Sequence, residues 1–284
     1  MYDTIIIGTG PAGLSAAMNL KIYNKSFLWF GSRAMSQKVS KAERIRNYPG
    51  LPGITGQELQ EHFLHHMETM DIEISEKMVT TIMKNGESYM VLADNELYES
   101  RTVLFATGVM TAKTLEGEDR FLGKGVSYCA TCDGALYKGK EIAVICNDAR
   151  FEHETEYLSE LAARLTYFPQ YRNCGISGEN VTVSREIPVK ISGGNRVQTL
   201  VLKDGQELAV DGIFILRNTI APDTLLKGLE TEDGHIVVNR KMETNLAGCY
   251  AAGDCTGRPY QYTKAVGEGN VAAHSVIRYL AAGK

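Results

Sequence analysis

The stretch that most restricts this chain lies at its start. Thr4-Ile5-Ile6-Ile7 is a short apolar, β-branched run that reads as a buried strand. Gly8-Thr9-Gly10-Pro11-Ala12-Gly13 follows, and then Leu14 to Leu20 with helical composition. A G-x-G-x-x-G turn set between a strand and a helix points to a dinucleotide. Gly8 permits the tight turn, Gly10 lets backbone approach a pyrophosphate, and Gly13 lets the helix pack close to the strand. The free N–H groups of the helix then face the phosphates. A second strand is expected near Phe27–Phe30. Where an acid would meet the ribose, the chain has Gly31-Ser32-Arg33. Ser32 with Arg33 suits a 2'-phosphate, and equally suits a ribose met through Ser32 and backbone.

A second constraint comes from Cys129-Ala130-Thr131-Cys132-Asp133. Two thiols separated by two residues can close into a disulfide and open again, which stores two electrons. An acid directly after the second Cys can move the proton that thiol exchange requires. A structural zinc site needs four ligands, and no second C-x-x-C accompanies this pair, so the spacing reads as redox. Cys146, Cys174, Cys249 and Cys255 have no close Cys neighbour in sequence and read as packing residues. Six cysteines in a chain whose first strand begins almost at Met1, with no room for a signal peptide, point to a reducing cytosol. No apolar run reaches a membrane span of roughly 18 residues. A net charge of -4 gives no sign of nucleic-acid binding.

The remainder supplies elements. Strands are expected around Met78–Met83, Ser88–Ala93 and Arg101–Phe105, the last running into Ala106-Thr107-Gly108. A helix from Gly56 to Met70 carries His62, His65 and His66, read as a solvated face in the absence of a third metal ligand. Gly139 to Ile145 and a helix from Phe151 to Leu165 begin a second β-α-β unit, but its glycine turn is missing. Short strands follow near residues 165–168, 180–184, 189–192, 197–202 and 212–216. Cys249 to Asp254 is a strand running into an acidic turn, and Tyr262 to Leu280 is a long final helix. A chain of 284 residues has length enough for two domains.

Taken together, these motifs make the sequence resemble the low-molecular-weight thioredoxin reductases over nearly its whole length. The resemblance implies an α/β, two-domain flavoprotein disulfide reductase, with a doubly wound, Rossmann-like FAD domain and a smaller inserted α/β domain. The FAD domain would comprise residues 1–115 and 243–284, and the insert 116–242. Gly8, Gly10, Pro11, Ala12 and Gly13 would cradle the FAD pyrophosphate, with Gly31 and Ser32 near the ribose. Asn47 of Asn47-Tyr48-Pro49-Gly50 is similar to the family's flavin-side Asn. Ala106, Thr107 and Gly108 match a strand end that touches FAD. Gly253 and Asp254 match the turn that holds the ribityl–phosphate part. Tyr260, Gln261 and Tyr262 lead into the flavin-facing helix. The likeness also implies that Cys132 faces the flavin, Cys129 attacks the thioredoxin disulfide, Asp133 handles the proton, and the protein is a homodimer.

Two departures from the family pattern matter. Ser36-Gln37-Lys38 stands where Gly-Gly-Gln is usual, which puts Lys38 near the flavin or on the surface. The NADPH apparatus is absent: Cys146-Asn147-Asp148-Ala149 replaces the glycine turn, and Phe168-Pro169-Gln170-Tyr171 replaces the residues that would grip a 2'-phosphate. Side chains there block close backbone approach, and Asp148, as an N-cap, would satisfy N–H groups that otherwise bind phosphate. Intact FAD and Cys motifs with a lost NADPH site are similar to the clostridial ferredoxin-dependent flavin thioredoxin reductases. That implies ferredoxin as donor and thioredoxin as acceptor. The alternatives are an NADPH-dependent thioredoxin reductase with an atypical site, and a diflavin or donor-less flavoprotein. Lys38, Lys41, Arg44 and Arg46 form a basic cluster that suits an acidic ferredoxin or plain solvent.

Overall fold

The computed structural model describes residues 1–40, 42–109, 115–128, 130–217 and 221–283, and leaves the side chains of Gln37, Asp119 and Cys132 undescribed. The chain forms two compact units, Met1–Met110 with Ala221–Lys284, and Thr111–Ile220. Residues 221–242, assigned above to the insert, group with the first unit. There the helical turn Pro222–Leu225 packs beside the strand Val79–Asn85, and Leu226 bridges Ile82 of that strand.

The first unit opens with β1 (Tyr2–Ile7), α1 (Pro11–Ile22) and β2 (Phe27–Phe30), followed by the short α2 (Gln37–Ser40) and by α3 (Gly56–Thr69). Thr55 and Glu58 form a reciprocal capping box that starts α3. Then come β3 (Val79–Asn85), β4 (Ser88–Ala93) and β5 (Glu96–Phe105). The sheet order is β2-β1-β5-β4-β3, parallel across β2, β1 and β5 and antiparallel across the rest. Ile5 and Ile6 are wholly buried, as a central parallel strand with both faces covered requires. The expected strand at 101–105 begins five residues earlier. Its polar first half, Glu96 to Ser100, pairs with β4, a role that hydrophobicity does not reveal.

In the second unit α4 (Glu118–Phe121), β6 (Val126–Ser127), α5 (Ala130–Asp133), β7 (Glu141–Cys146), α6 (Glu152–Leu161), β8 (Arg164–Pro169) and β9 (Val181–Val183) follow in turn. A small antiparallel sheet, β10 (Pro188–Gly193), β11 (Val197–Leu202) and β12 (Glu207–Ala209), precedes β13 (Gly212–Leu216). The main sheet here is parallel, in the order β6-β13-β7-β8-β9. The helix expected to reach Leu165 stops at Leu161. Ala162 turns extended, and the amides of Ala163 and Arg164 bond the Lys140 carbonyl, which draws the chain into β8.

The chain returns to the first unit with α7 (Pro222–Leu225), the hairpin β14 (Thr231–Glu232) and β15 (His235–Ile236), β16 (Cys249–Ala251) and α8 (Tyr262–Ala281). β16 pairs in parallel with the end of β5, continuing the edge that β4 occupies earlier. The core below contains Ile6, Leu20, Trp29, Leu104, Tyr250 and Val276. α8 lies against α1 at Gly269, where a Cβ would come within 2.2 Å of the Ala12 carbonyl oxygen. This is the doubly wound α/β architecture expected of a two-domain flavoprotein disulfide reductase.

Candidate functional site

In the first unit the glycine turn forms as its sequence suggests. Gly8 has φ 107°, and a Cβ there would lie 2.3 Å from the Ala106 oxygen. Trp29 Nε1 donates to the Gly8 carbonyl at 2.9 Å, fixing the turn to the second strand. Gly13 packs so closely that a Cβ would meet the Gly8 oxygen at 2.1 Å. Gly10, by contrast, has open space where its Cβ would be, and it is the N-cap of α1 with no side-chain cap. Pro11 occupies the first turn, which contains no acid. The backbone donors and the positive end of the helix dipole are therefore free for an anion.

At the end of β2, Gly31 donates to the Ser75 carbonyl at 3.1 Å and crowds Thr9. The Ser32 hydroxyl accepts from the Ala34 amide at 3.2 Å. Arg33 is occupied: its amide donates to Glu76 at 2.9 Å, and its guanidinium faces the same carboxylate. Sequence reading missed Glu76, which reaches the strand end from a segment more than 40 residues later.

A second group forms around the N-terminus of α8. Asn47 Nδ2 donates to Gln261 Oε1 at 2.6 Å, and the Tyr262 hydroxyl donates to the Lys38 carbonyl at 2.9 Å. Gln261 is the N-cap of α8 and makes no side-chain cap bond, so this helix end also offers free donors. The Asp254 carboxyl is pushed above the ordinary aspartate range, first by burial; Lys38 and Lys264 pull it the other way. Lys264 Nζ donates to the Gly253 and Gly257 carbonyls at 2.9 Å and pairs with Glu268 at 3.1 Å. Glu268 accepts the Gly253 amide at 2.8 Å and the Thr256 hydroxyl at 2.9 Å. Lys264 and Glu268 thus grip the Asp254 turn from both sides. The two stand at an i, i+4 spacing on α8.

Ala106, Thr107 and Gly108 follow β5, with Gly108 at φ 69° and open space beside it. Tyr260 stands apart from these contacts: it is exposed, its hydroxyl lies 2.6 Å from His235 Nε2, and Arg258 stacks on its ring. Cys129 and the Cys132 side chain lie outside the described residues, while Asp133 is half-buried at the end of α5. Among the other cysteines, burial pushes the Cys255 thiol up to about 11 and Cys249 up to about 12, as inert packing residues should be.

In the second unit the turn after β7 is filled by side chains. Asp148 caps the 3-10 turn Ala149–Phe151, accepting the Arg150 amide at 3.1 Å and pairing with the Arg150 guanidinium at 3.1 Å. Glu152 Oε1 accepts the Tyr171 hydroxyl at 2.6 Å and the Gly175 amide at 2.9 Å. The Tyr171 and Tyr167 hydroxyls lie 2.6 Å apart. Just past β7, where an open α/β sheet binds ligands, Glu152 is thus bonded to Tyr171 and through it to Tyr167 of β8, while Asp148 is bonded to Arg150 in its own turn.

Known proteins align with this arrangement along almost its whole length. Residues 2–146 and 175–269 match the model of the pyridine nucleotide-disulphide oxidoreductase family. The chain belongs to that family. Its relatives include a thioredoxin reductase of Bacillus subtilis (strain 168), 30% identical over 99% of this chain and 95% of that protein. Crystal structures of a ferredoxin-flavin thioredoxin reductase from Clostridium acetobutylicum superpose with TM-scores of 0.91 and 0.87, at 43% and 47% identity, each over 99% of this chain and 98% of that one. A thioredoxin reductase from Gloeobacter violaceus superposes at 0.80 with 25% identity, over 100% of this chain and 95% of that one. Members of this group are oxidoreductases, and the cofactor of this chain is FAD. The first unit fits FAD on its own geometry: an uncapped, acid-free helix start beside open Gly10 suits a pyrophosphate, and a half-buried carboxylate at Asp254 suits ribityl hydroxyls. No described helix is long and apolar enough to cross a membrane.

Proposed function

We propose that this protein is a flavin thioredoxin reductase that takes electrons from reduced ferredoxin and passes them, through FAD and the Cys129–Cys132 pair, to thioredoxin. The observation that carries the donor is the filled turn after β7. A nicotinamide dinucleotide needs its phosphates held in a fixed cradle so that its ring can be placed. Here Asp148 takes the N–H group that a phosphate would use, and Glu152 adds a second negative charge. No arginine pair replaces them at the end of β8, which reads Pro169-Gln170-Tyr171. The stretch 147–174, which contains all of this, falls between the two segments that the family model matches. The likeness to the ferredoxin-flavin enzyme of Clostridium acetobutylicum supports the same donor.

FAD supplies the step that a disulfide cannot take alone, accepting electrons singly and delivering a pair. In this reading Gly8, Gly10, Pro11, Ala12 and Gly13 hold its pyrophosphate, Gly31 and Ser32 its ribose, and Gly253 and Asp254 its ribityl chain. Lys38, Asn47, Gln261 and Tyr262 collect at the free end of α8, whose dipole favours negative charge on a neighbouring ring by up to ~2 kcal/mol. By the family resemblance, Cys132 would face the flavin, Cys129 would exchange with the thioredoxin disulfide, and Asp133 would hold the proton that the exchange moves. The couple runs downhill: potentials of about -400 mV for a plant-type ferredoxin and about -270 mV for thioredoxin differ by roughly 6 kcal/mol for two electrons. We place the enzyme in the cytosol as a homodimer. The test is anaerobic mixing of oxidised protein with NADPH or with photoreduced ferredoxin, followed by flavin absorbance. Ferredoxin bleaches the flavin and NADPH does not; rapid bleaching by micromolar NADPH overturns the donor and restores the NADPH-dependent reading.

A further inference from the structure

The segment that leads to Asn47 has a surface the site does not use. Ile45 is buried and bridges Ile54. In an extended bridge, neighbouring side chains point to opposite sides, so Arg44 and Arg46 both turn outward, and both are exposed. Arg46 adjoins Asn47, whose amide bonds Gln261 at the start of α8, and exposed Lys38 is tied to the same helix end through Tyr262. Neither arginine forms an ion pair among the described residues. Two acids lie nearby. Glu43 on this stretch is exposed, and Glu58 on α3 is engaged by the Thr55 amide and hydroxyl in its capping box and also feels the charge of Arg44. Cations therefore predominate on this face, in a chain whose net charge is -4.

We propose that Arg44 and Arg46 form the docking surface for the electron donor, an acidic iron–sulfur protein; this rests on the donor reading above. The stoichiometry explains the chemistry of the surface. A single-cluster carrier gives up one electron per encounter, so two encounters supply the pair that a disulfide accepts with two protons. The donor must therefore arrive, leave and be replaced within one turnover, which suits a small charged interface rather than an apolar one. Opposite charge raises the encounter rate without prolonging the complex, and salt screens it over roughly 10 Å at 0.1 M. The surface adjoins the side chains gathered at the start of α8, so a carrier held there is delivered beside the residues assigned to the flavin.

The test uses the FAD-loaded enzyme and Arg44→Glu, Arg46→Glu and the double variant. The rate of flavin bleaching is measured with photoreduced ferredoxin and, as an uncharged control, with photoreduced deazariboflavin, at low and high salt. The double variant is expected to lose at least about tenfold in the ferredoxin rate at low salt and most of its salt dependence, with the deazariboflavin rate unchanged. A double variant with the wild-type ferredoxin rate and salt slope overturns the surface while leaving the donor intact. Equal losses with both donors overturn it as well, because the damage then lies at the flavin. A wild-type enzyme that ferredoxin cannot bleach overturns the donor reading itself.

Discussion

Asp254 shows what single residues contribute and how far they can be read in advance. Its Gly-Asp turn is legible from sequence, but its environment is not. Burial raises its carboxyl pKa, so in the FAD-free protein it remains protonated to a higher pH than a free aspartate. In the proposed site, ribityl hydroxyls that donate to the carboxylate would favour the ionised form, and FAD binding would then release a proton within that window. FAD affinity should therefore rise with pH as the group ionises and level off above its raised pKa, and Asp254→Asn should flatten the profile; titration of apoprotein with FAD at several pH values measures both. Cys129→Ser and Cys132→Ser should each retain FAD, read from the flavin spectrum, and abolish thioredoxin reduction. If either variant turns over thioredoxin at the wild-type rate, the pair is misassigned. Asp148 was legible as a cap because its residue type and place after a strand allow little else. The Glu152–Tyr171–Gly175 contacts were not, because they join positions about 20 residues apart whose registers depend on how β8 ends.

Among the elements, α8 depends most on one small side chain. Gly269 lets it approach α1 so closely that any Cβ would strike the Ala12 carbonyl. Gly269→Ala should force the helices apart and cost on the order of 1–3 kcal/mol, seen as a lower Tm of the apoprotein. A smaller FAD-induced rise in Tm should accompany it, since Ala12 also touches Gly253 of the Asp254 turn. An unchanged Tm would mean that α8 sits elsewhere. The strands 27–30, 197–202 and 212–216 and the start of α8 were readable because their hydrophobic runs end at turn residues or caps. The ends of β5 and α6 were not, because partners distant in sequence decide them: β4 extends one, and the Lys140 carbonyl cuts the other short.

For the whole molecule, the two-part α/β plan was readable from its motifs, while the return of residues 221–242 to the first unit was not, since it rests on a bridge between Ile82 and Leu226. The donor prediction belongs at this scale. Asp148→Gly alone should not make NADPH a substrate, because Glu152 still holds the Tyr171 hydroxyl and the Gly175 amide across the same turn. NADPH-driven bleaching by this variant at ordinary enzyme rates would show that a single side chain closes the site.

The second unit also contains a buried pair, Arg217 with Glu118, joined by the Tyr128 hydroxyl, which donates to Glu118 at 2.5 Å. Arg217→Met should cost on the order of 3–5 kcal/mol by stranding a buried carboxylate, measured as a fall in unfolding free energy. The pair joins the beginning of the unit to its end, Glu118 in α4 to the residue that follows β13. Within the unit, the 99 positions from Glu118 to Arg217 are closed into one ring. By the logarithmic law of ring closure, about 2 kcal/mol separates a free loop of that length from one of roughly ten residues. A segment fastened at its own base keeps its two ends together through its own side chains, so a change in its interior, such as at the turn after β7, leaves that fastening in place.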